Sequence, residues 1–240
     1  MIDRYDAYLF DLDGVLTPTV ELHRRAWQET FDRFFARVGQ EPYRESDYFD
    51  WLDGRPRFAG VAALLASRGL ELPEGPESES DSDSLDDPRT IRALGDRKNR
   101  AFTEVLERDG IDPYPGSIEL LDRLERIGRP LAVVSSSKNA EAVLRAAGLR
   151  DRFVAVVDGV VAEEEGLPGK PAPDTYLRAA ELLGAAPGAS VVFEDAVSGV
   201  AAGRAGGFGL VVGVDRGAGA EALAEAGAQV VVADLRELAR

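Results

Sequence analysis

The 240 residues carry 43 Asp and Glu against 28 Lys and Arg, a formal net charge of −15, which argues against nucleic acid and anionic membranes as partners. Apolar residues make up 45% of the chain, and no stretch approaches the roughly 20 apolar residues of a membrane span. There is no cysteine, which excludes disulfides and thiolate zinc sites. The length suits one large domain, or a core plus a smaller insertion, and the charged approach at the start reads as lacking a signal peptide, so a cytoplasmic protein is expected.

An apolar run over 5–10 predicts a short strand buried in a parallel sheet. It leads into Asp11-Leu12-Asp13-Gly14, two carboxylates two residues apart and then a glycine that lets the backbone turn away. Strand alternation would point both carboxylates the same way, a costly arrangement unless a cation or a shared proton relieves it. The plainer reading is an acidic strand end capping a loop. Residues 20–38 carry Leu22, Ala26, Trp27, Phe31, Phe34, Phe35 and Val38 at helical spacing, ending at Gly39. A less regular stretch follows, then Gly54-Arg55-Pro56-Arg57 and a second helix from Phe58 to the stop at Gly69. Residues 71–87 hold eight acidic residues and no basic ones, with serines and prolines between, and read as a solvated loop. A third helix occupies 88–109.

From Tyr114 onward strand and helix alternate. Strands are predicted over 130–135, 153–157, 190–193, 208–212 and 229–232, and helices over 117–127, 139–147, 173–183, 198–205 and 218–226. Such alternation means an α/β fold, a doubly wound parallel sheet with helices on both faces. The first strand has to join that sheet. The core is therefore expected over 1–17 and 113–240, with 18–112 inserted as a helical cap over the strand ends. Glu163-Glu164-Glu165 reads as a solvated face, and the glycine runs near 203–209 and 217–219 read as turns.

Ligands of open α/β sheets sit at the carboxyl ends of the strands. Polar residues stand at several of these ends: Asp11 and Asp13; Ser135, Ser136, Ser137, Lys138 and Asn139; Lys170 in the Gly169–Asp174 loop; and Glu194 with Asp195. Acidic strand ends suit Mg²⁺ through oxygen ligands. A serine hydroxyl, backbone N–H groups opening a helix and a lysine suit a phosphate.

Taken in order, Asp11-Leu-Asp13-Gly14, Ser135, Lys170 and Glu194-Asp195 resemble the four motifs of the haloacid dehalogenase superfamily, phosphotransferase branch. The resemblance implies a Rossmann-like core, Mg²⁺ held by Asp11, Asp13, Glu194 and Asp195, and phosphate bound by Ser135, Ser136 and Lys170. It also implies Asp11 as the nucleophile that becomes an aspartyl phosphate and Asp13 as general acid and base. The insertion after the first motif looks like the β-phosphoglucomutase subgroup. Thr19, His23 and Trp27 match that subgroup's first cap helix, Gly54 and Arg57 its substrate loop, Lys98 a cap lysine, and Ser137, Lys138 and Asn139 the core side of a second phosphate site. Two departures stand out: the acidic 71–87 loop is longer than the subgroup requires, and Ala196 occupies a position where serine is common.

The resemblance implies a monomeric mutase interconverting β-glucose 1-phosphate and glucose 6-phosphate, a small phosphorylated sugar being its only partner. The alternatives are a phosphatase of small sugar phosphates on the same scaffold and an inactive binding module. Taken singly, His23 reads as a partly buried polar residue, Trp27 as cap core, and Arg55 competes with Arg57 for the phosphate.

Overall fold

The first strand, β1 (Ala7–Phe10), is apolar and buried at every position, as a strand covered on both faces has to be. In the computed structural model, which describes residues 2–52, 57–75 and 88–239, it lies in the middle of a six-stranded sheet. The other strands are β2 (Leu131–Val134), β3 (Ala155–Val157), β4 (Ser190–Glu194), β5 (Leu210–Val214) and β6 (Val230–Val232). Their order is β3-β2-β1-β4-β5-β6 and all neighbours are parallel. The α/β fold expected from the alternating pattern is the one observed.

Parallel neighbours need long crossovers, and helices fill them. In chain order the helices are α1 (Thr19–Val38), α2 (Arg57–Ser67), α3 (Ile91–Asp109), α4 (Pro115–Arg126), α5 (Ala140–Ala146), α6 (Gly159–Glu164), α7 (Asp174–Leu182), α8 (Val197–Ala205) and α9 (Ala220–Ala226). The chain winds outward from β1 to β3, then returns to lay β4 on the opposite side of β1. This reversal of direction is where open α/β sheets place their ligands. It sets Asp11, just past β1, beside Ser135, just past β2, and Glu194, the last residue of β4.

The chain divides into two compact units, Met1–Thr19 with Ile111–Arg240, and Val20–Gly110. The first is built on the sheet, whose centre stacks Phe10 on Phe193 at 4.4 Å between ring centroids. Tyr176 on α7 belongs to the same apolar core as Leu9, Val134 and Val192. The second unit has a core of its own, in which Trp27, Phe31, Phe34 and Phe35 of α1 meet Leu64, Leu65 and Leu94. In that unit, α3 begins at the side chain of Thr90, which accepts the Ala93 N–H at 3.0 Å.

Two elements differ from the reading of the sequence. The irregular stretch after α1 holds one helical turn, Glu45–Asp47, running into a π-helical turn, Tyr48–Leu52. Helix α6 was missed because it is only six residues long, although Asp158 caps it by accepting from Val160 and Val161 N–H at 3.0 Å. Gly54, Arg55 and most of the acidic 71–87 loop lie outside the described residues. Among the described residues no helix is long and apolar enough to cross a membrane.

Candidate active site

The chain leaves β1 in a tight turn. Leu12 O accepts from Leu16 N at 2.9 Å and Thr17 N at 3.1 Å, and Gly14 N donates to Thr17 O at 2.9 Å. Gly14 has φ of +80°, and a Cβ there would stand 1.9 Å from Asp195 Oδ2, so both conformation and space demand glycine. Behind the turn, Arg216 Nε donates to Gly14 O at 3.0 Å, with its guanidinium 3.9 Å from the ring centroid of Tyr114.

One lysine serves this acidic group. Lys170 Nζ donates to Asp11 Oδ1 and Glu194 Oε1 at 2.5 Å each and to Val134 O at 3.1 Å, which occupies all three of its protons. Asp11, Glu194 and Asp195 each offer an oxygen within 4.8 Å of the others. Burial pushes Asp11 well above the usual carboxylate range, with Lys170 pulling it down and Glu194, Asp13 and Asp195 pushing it further up. Asp195 is pushed up to about 7 by burial, then by Glu194 and Asp13. Burial also works against the Lys170 ammonium, but Asp11 and Glu194 outweigh it and raise its pKa above the ordinary lysine value. Four carboxylates against one ammonium leave negative charge that the protein itself does not balance. Three hard oxygen donors in such a field fit a divalent cation of the Mg²⁺ type.

The carboxylate of Asp13 stands outside that group of three. Its Oδ1 accepts from the Thr19 hydroxyl, and its Oδ2 from Ser135 Oγ at 3.3 Å. Burial raises its pKa, while the Thr19 hydroxyl holds it down. β1 stops at Phe10, and Asp13 forms an isolated β-bridge with Thr17 beyond it.

After β2 the chain hydrogen-bonds to itself. Ser135 Oγ accepts from Ser137 N and Ser137 Oγ from Asn139 N, both at 3.1 Å, just before α5. Ser136 and Lys138 are exposed, and Lys138 Nζ meets Glu163 of α6 at 2.6 Å.

The remaining candidates lie within the second unit and form two groups. Lys98, buried on α3, places Nζ 2.6 Å from His23 Nδ1, 5.0 Å from the Trp27 ring and 5.4 Å from that of Phe102. An ammonium only donates, so the His23 Nδ1 facing it is the accepting nitrogen and Nε2 carries the proton. Burial, then the charges of Lys98 and Arg57, hold the His23 pKa well below 6.5. Arg57, the first residue of α2, donates to Asn99 Oδ1 at 3.0 Å and pairs with Asp96 at 3.4 Å.

Comparison with known proteins identifies the family. A haloacid dehalogenase-like hydrolase family model matches residues 5–207. The chain belongs to the haloacid dehalogenase family. A β-phosphoglucomutase of Mycobacterium bovis is 48% identical, the match covering 98% of this chain and 92% of that protein. The fructose-1-phosphate phosphatase YqaB of Escherichia coli is 32% identical over 88% of this chain and 97% of its own length. A crystal structure of a CbbY variant from Rhodobacter sphaeroides with xylulose-(1,5)bisphosphate superposes with a TM-score of 0.72 at 26% identity, covering 98% of this chain and 96% of that one. The protein is thus a phosphoryl-transfer enzyme of the haloacid dehalogenase family, whose relatives carry both mutase and phosphatase names.

Two participants in this haloacid dehalogenase site were not singled out from the sequence. Tyr176 of α7 donates its hydroxyl to Glu194 Oε1 at 2.9 Å, and its ring lies 4.9 Å from Lys170 Nζ. Burial and the Glu194 carboxylate keep that phenol well above its usual pKa, hence a donor. Gly199, in the first turn of α8, leaves the space the Glu194 carboxylate fills, since a Cβ there would come 1.8 Å from Oε1. The one local signal was Tyr176 itself, six residues after Lys170, a phenol on the buried face of a helix that needs a partner.

Proposed function

We propose that the protein is a Mg²⁺-dependent β-phosphoglucomutase, interconverting β-glucose 1-phosphate and glucose 6-phosphate through a glucose bisphosphate. The observation that carries this reading is the 48% identity to a β-phosphoglucomutase along nearly the whole of both chains. The grouping of Asp11, Asp13, Lys170, Glu194 and Asp195 supports it.

In this reading Asp11 carries the phosphoryl group as an acyl phosphate. The 6-hydroxyl of β-glucose 1-phosphate gives its proton to Asp13 and takes the phosphoryl group, freeing the Asp11 carboxylate and forming the bisphosphate. Once the sugar has turned end for end, Asp11 attacks the phosphorus at C1. The bond from phosphorus to the C1 oxygen breaks, Asp13 returns the proton to that oxygen, and glucose 6-phosphate leaves. Thr19 and Ser135, which hold one Asp13 oxygen each, fix the carboxylate for these transfers, and general acid–base catalysis by Asp13 is worth roughly 10²–10⁴ in rate. Lys170, with Ser135 and Ser136, offsets the charge of the phosphoryl group in flight. Bound Mg²⁺, held by Asp11, Glu194 and Asp195, supplies further neutralisation of that charge.

In this reading Arg57, with Gly54, and Ser137, Lys138 and Asn139 are the candidate ligands of the other phosphate, and His23, Trp27 and Lys98 those of the sugar. A mutase needs such a second phosphate site because its intermediate is a sugar bisphosphate, whereas a phosphatase of a monophosphate, whose acceptor is water, does not.

The phosphatase reading is favoured by the 32% identity to YqaB. One experiment separates the two: glucose 6-phosphate formation from β-glucose 1-phosphate with trace glucose bisphosphate, run beside phosphate release from a sugar-phosphate panel that includes fructose 1-phosphate. Isomerisation many times faster than any phosphate release is expected. Phosphate release as the faster process would replace the mutase by the phosphatase.

A further inference from the structure

Glu194 ends β4 with 1% of its surface exposed, and the protein treats its two oxygens differently. Oε1 accepts from Lys170 Nζ at 2.5 Å and from the Tyr176 hydroxyl at 2.9 Å. Oε2 accepts from the Ala196 N–H at 3.2 Å. A carboxylate oxygen has two lone-pair sites. Oε1 is therefore filled, while Oε2, counting the described residues, keeps one site open. The last torsion of a glutamate is soft, so the two ties on Oε1 decide which oxygen faces the other carboxylates. Lys170 shares its ammonium with Asp11 and Val134 O, whereas the Tyr176 hydroxyl has a single proton and gives it to Glu194. Tyr176 is fully buried, with its ring set edge-on to Phe208 at 5.9 Å.

We infer that Tyr176 is a positioning residue that commits Glu194 to bind a cation through Oε2 alone, and so biases the site toward Mg²⁺ over Ca²⁺. The inference rests on the metal reading above. Mg²⁺ demands a near-ideal octahedron of single oxygens at short distance, whereas Ca²⁺ takes six to eight ligands and readily accepts both oxygens of one carboxylate. A carboxylate with one oxygen tied to a buried phenol suits the first ion and denies the second its extra ligand. With the hydroxyl removed, one site on Oε1 opens beside Lys170, and Glu194 can offer both oxygens.

The test is calorimetric titration of Mg²⁺ and of Ca²⁺ into metal-stripped wild type and Tyr176→Phe, without substrate. The phenylalanine keeps the ring and its packing. Loss of a partner behind a metal ligand weakens binding about 10–100-fold. Mg²⁺ affinity is therefore expected to fall about 10-fold or more while Ca²⁺ affinity holds or rises, lowering the Mg²⁺/Ca²⁺ affinity ratio at least about 10-fold. An unchanged ratio overturns the inference, and so does an equal loss for both ions, which is what general loosening of the site produces. A wild-type protein that binds no Mg²⁺ overturns the metal reading and the inference with it, and is told apart from the first failure by the wild-type titration alone. Should the variant not fold, 3-fluorotyrosine incorporated at position 176, a stronger donor of nearly the same shape, has to raise the ratio; a ratio at or below that of wild type overturns the inference.

Discussion

Replacing Lys170 by methionine tests whether the acidic group is held in place by that one ammonium. The side chains of Lys170, Asp11 and Glu194 are 8%, 10% and 1% exposed, so water replaces little of what the substitution removes. Glu194 keeps the Tyr176 hydroxyl and the Ala196 N–H, whereas Asp11 loses the ammonium on Oδ1. Breaking a buried pair from one side costs about 3–5 kcal/mol, because the other charge stays buried. Each kcal/mol moves the melting temperature of a domain of this size by about 2–4 °C, which gives a fall of roughly 6–20 °C. Circular dichroism melts in EDTA read this directly. Adding Mg²⁺ at about 100 times its Kd is expected to return about 2.7 kcal/mol, since the ion supplies the missing positive charge. A Lys170→Met protein melting within 2 °C of wild type in EDTA, by the same conversion worth less than about 1 kcal/mol, would refute the argument that the carboxylates depend on Lys170.

Asp11→Asn is expected to abolish turnover of every phosphorylated substrate while leaving the melting temperature at or above that of wild type in EDTA, since it removes one of four crowded carboxylates; activity within tenfold of wild type would end its assignment as nucleophile. Gly199→Ala puts a methyl group into the space of the Glu194 carboxylate, at a cost of about 1–3 kcal/mol, and differential scanning calorimetry should show the lowered transition. His23 gives a pH signature: burial, Lys98 and Arg57 hold its native pKa well below 6.5, so below pH 6.5 the unfolded chain binds a proton that the native protein refuses. Stability is therefore lost as pH falls from 6.5, by up to about 1.4 kcal/mol per pH unit, and urea titrations of His23→Gln at pH 7.5 and 5 should show a shallower loss than wild type.

Much of this arrangement was legible because parallel strands announce themselves twice, by an apolar run and by the polar residue that ends it. Asp11, Ser135 and Glu194 each follow or finish such a run, and strand order then sets them side by side. What stayed hidden depends on pairing across the sheet. Nothing near Tyr176 in the chain names Glu194 as the acceptor of its hydroxyl, and nothing near Glu163 names Lys138. Helix α6 was lost to its brevity, six residues being too few for a 3.6-residue period to register.

The central position of β1 has a consequence for synthesis of the chain. β1 is made well before either neighbour: Phe10 pairs with Val133 on one side and with Phe193 on the other. At 5–20 residues per second, the second partner follows roughly 10–40 s later. Until β2 follows, a fully apolar strand waits without any partner, and until β4 follows one of its edges stays open, a state prone to wrong association. The unit over Val20–Gly110, whose aromatic core is complete within its own residues, is translated in that gap and can fold before the strand is claimed. A nascent chain can therefore carry a folded helical unit while β1 is still unpaired, and holdase chaperones are the agents suited to protecting that strand.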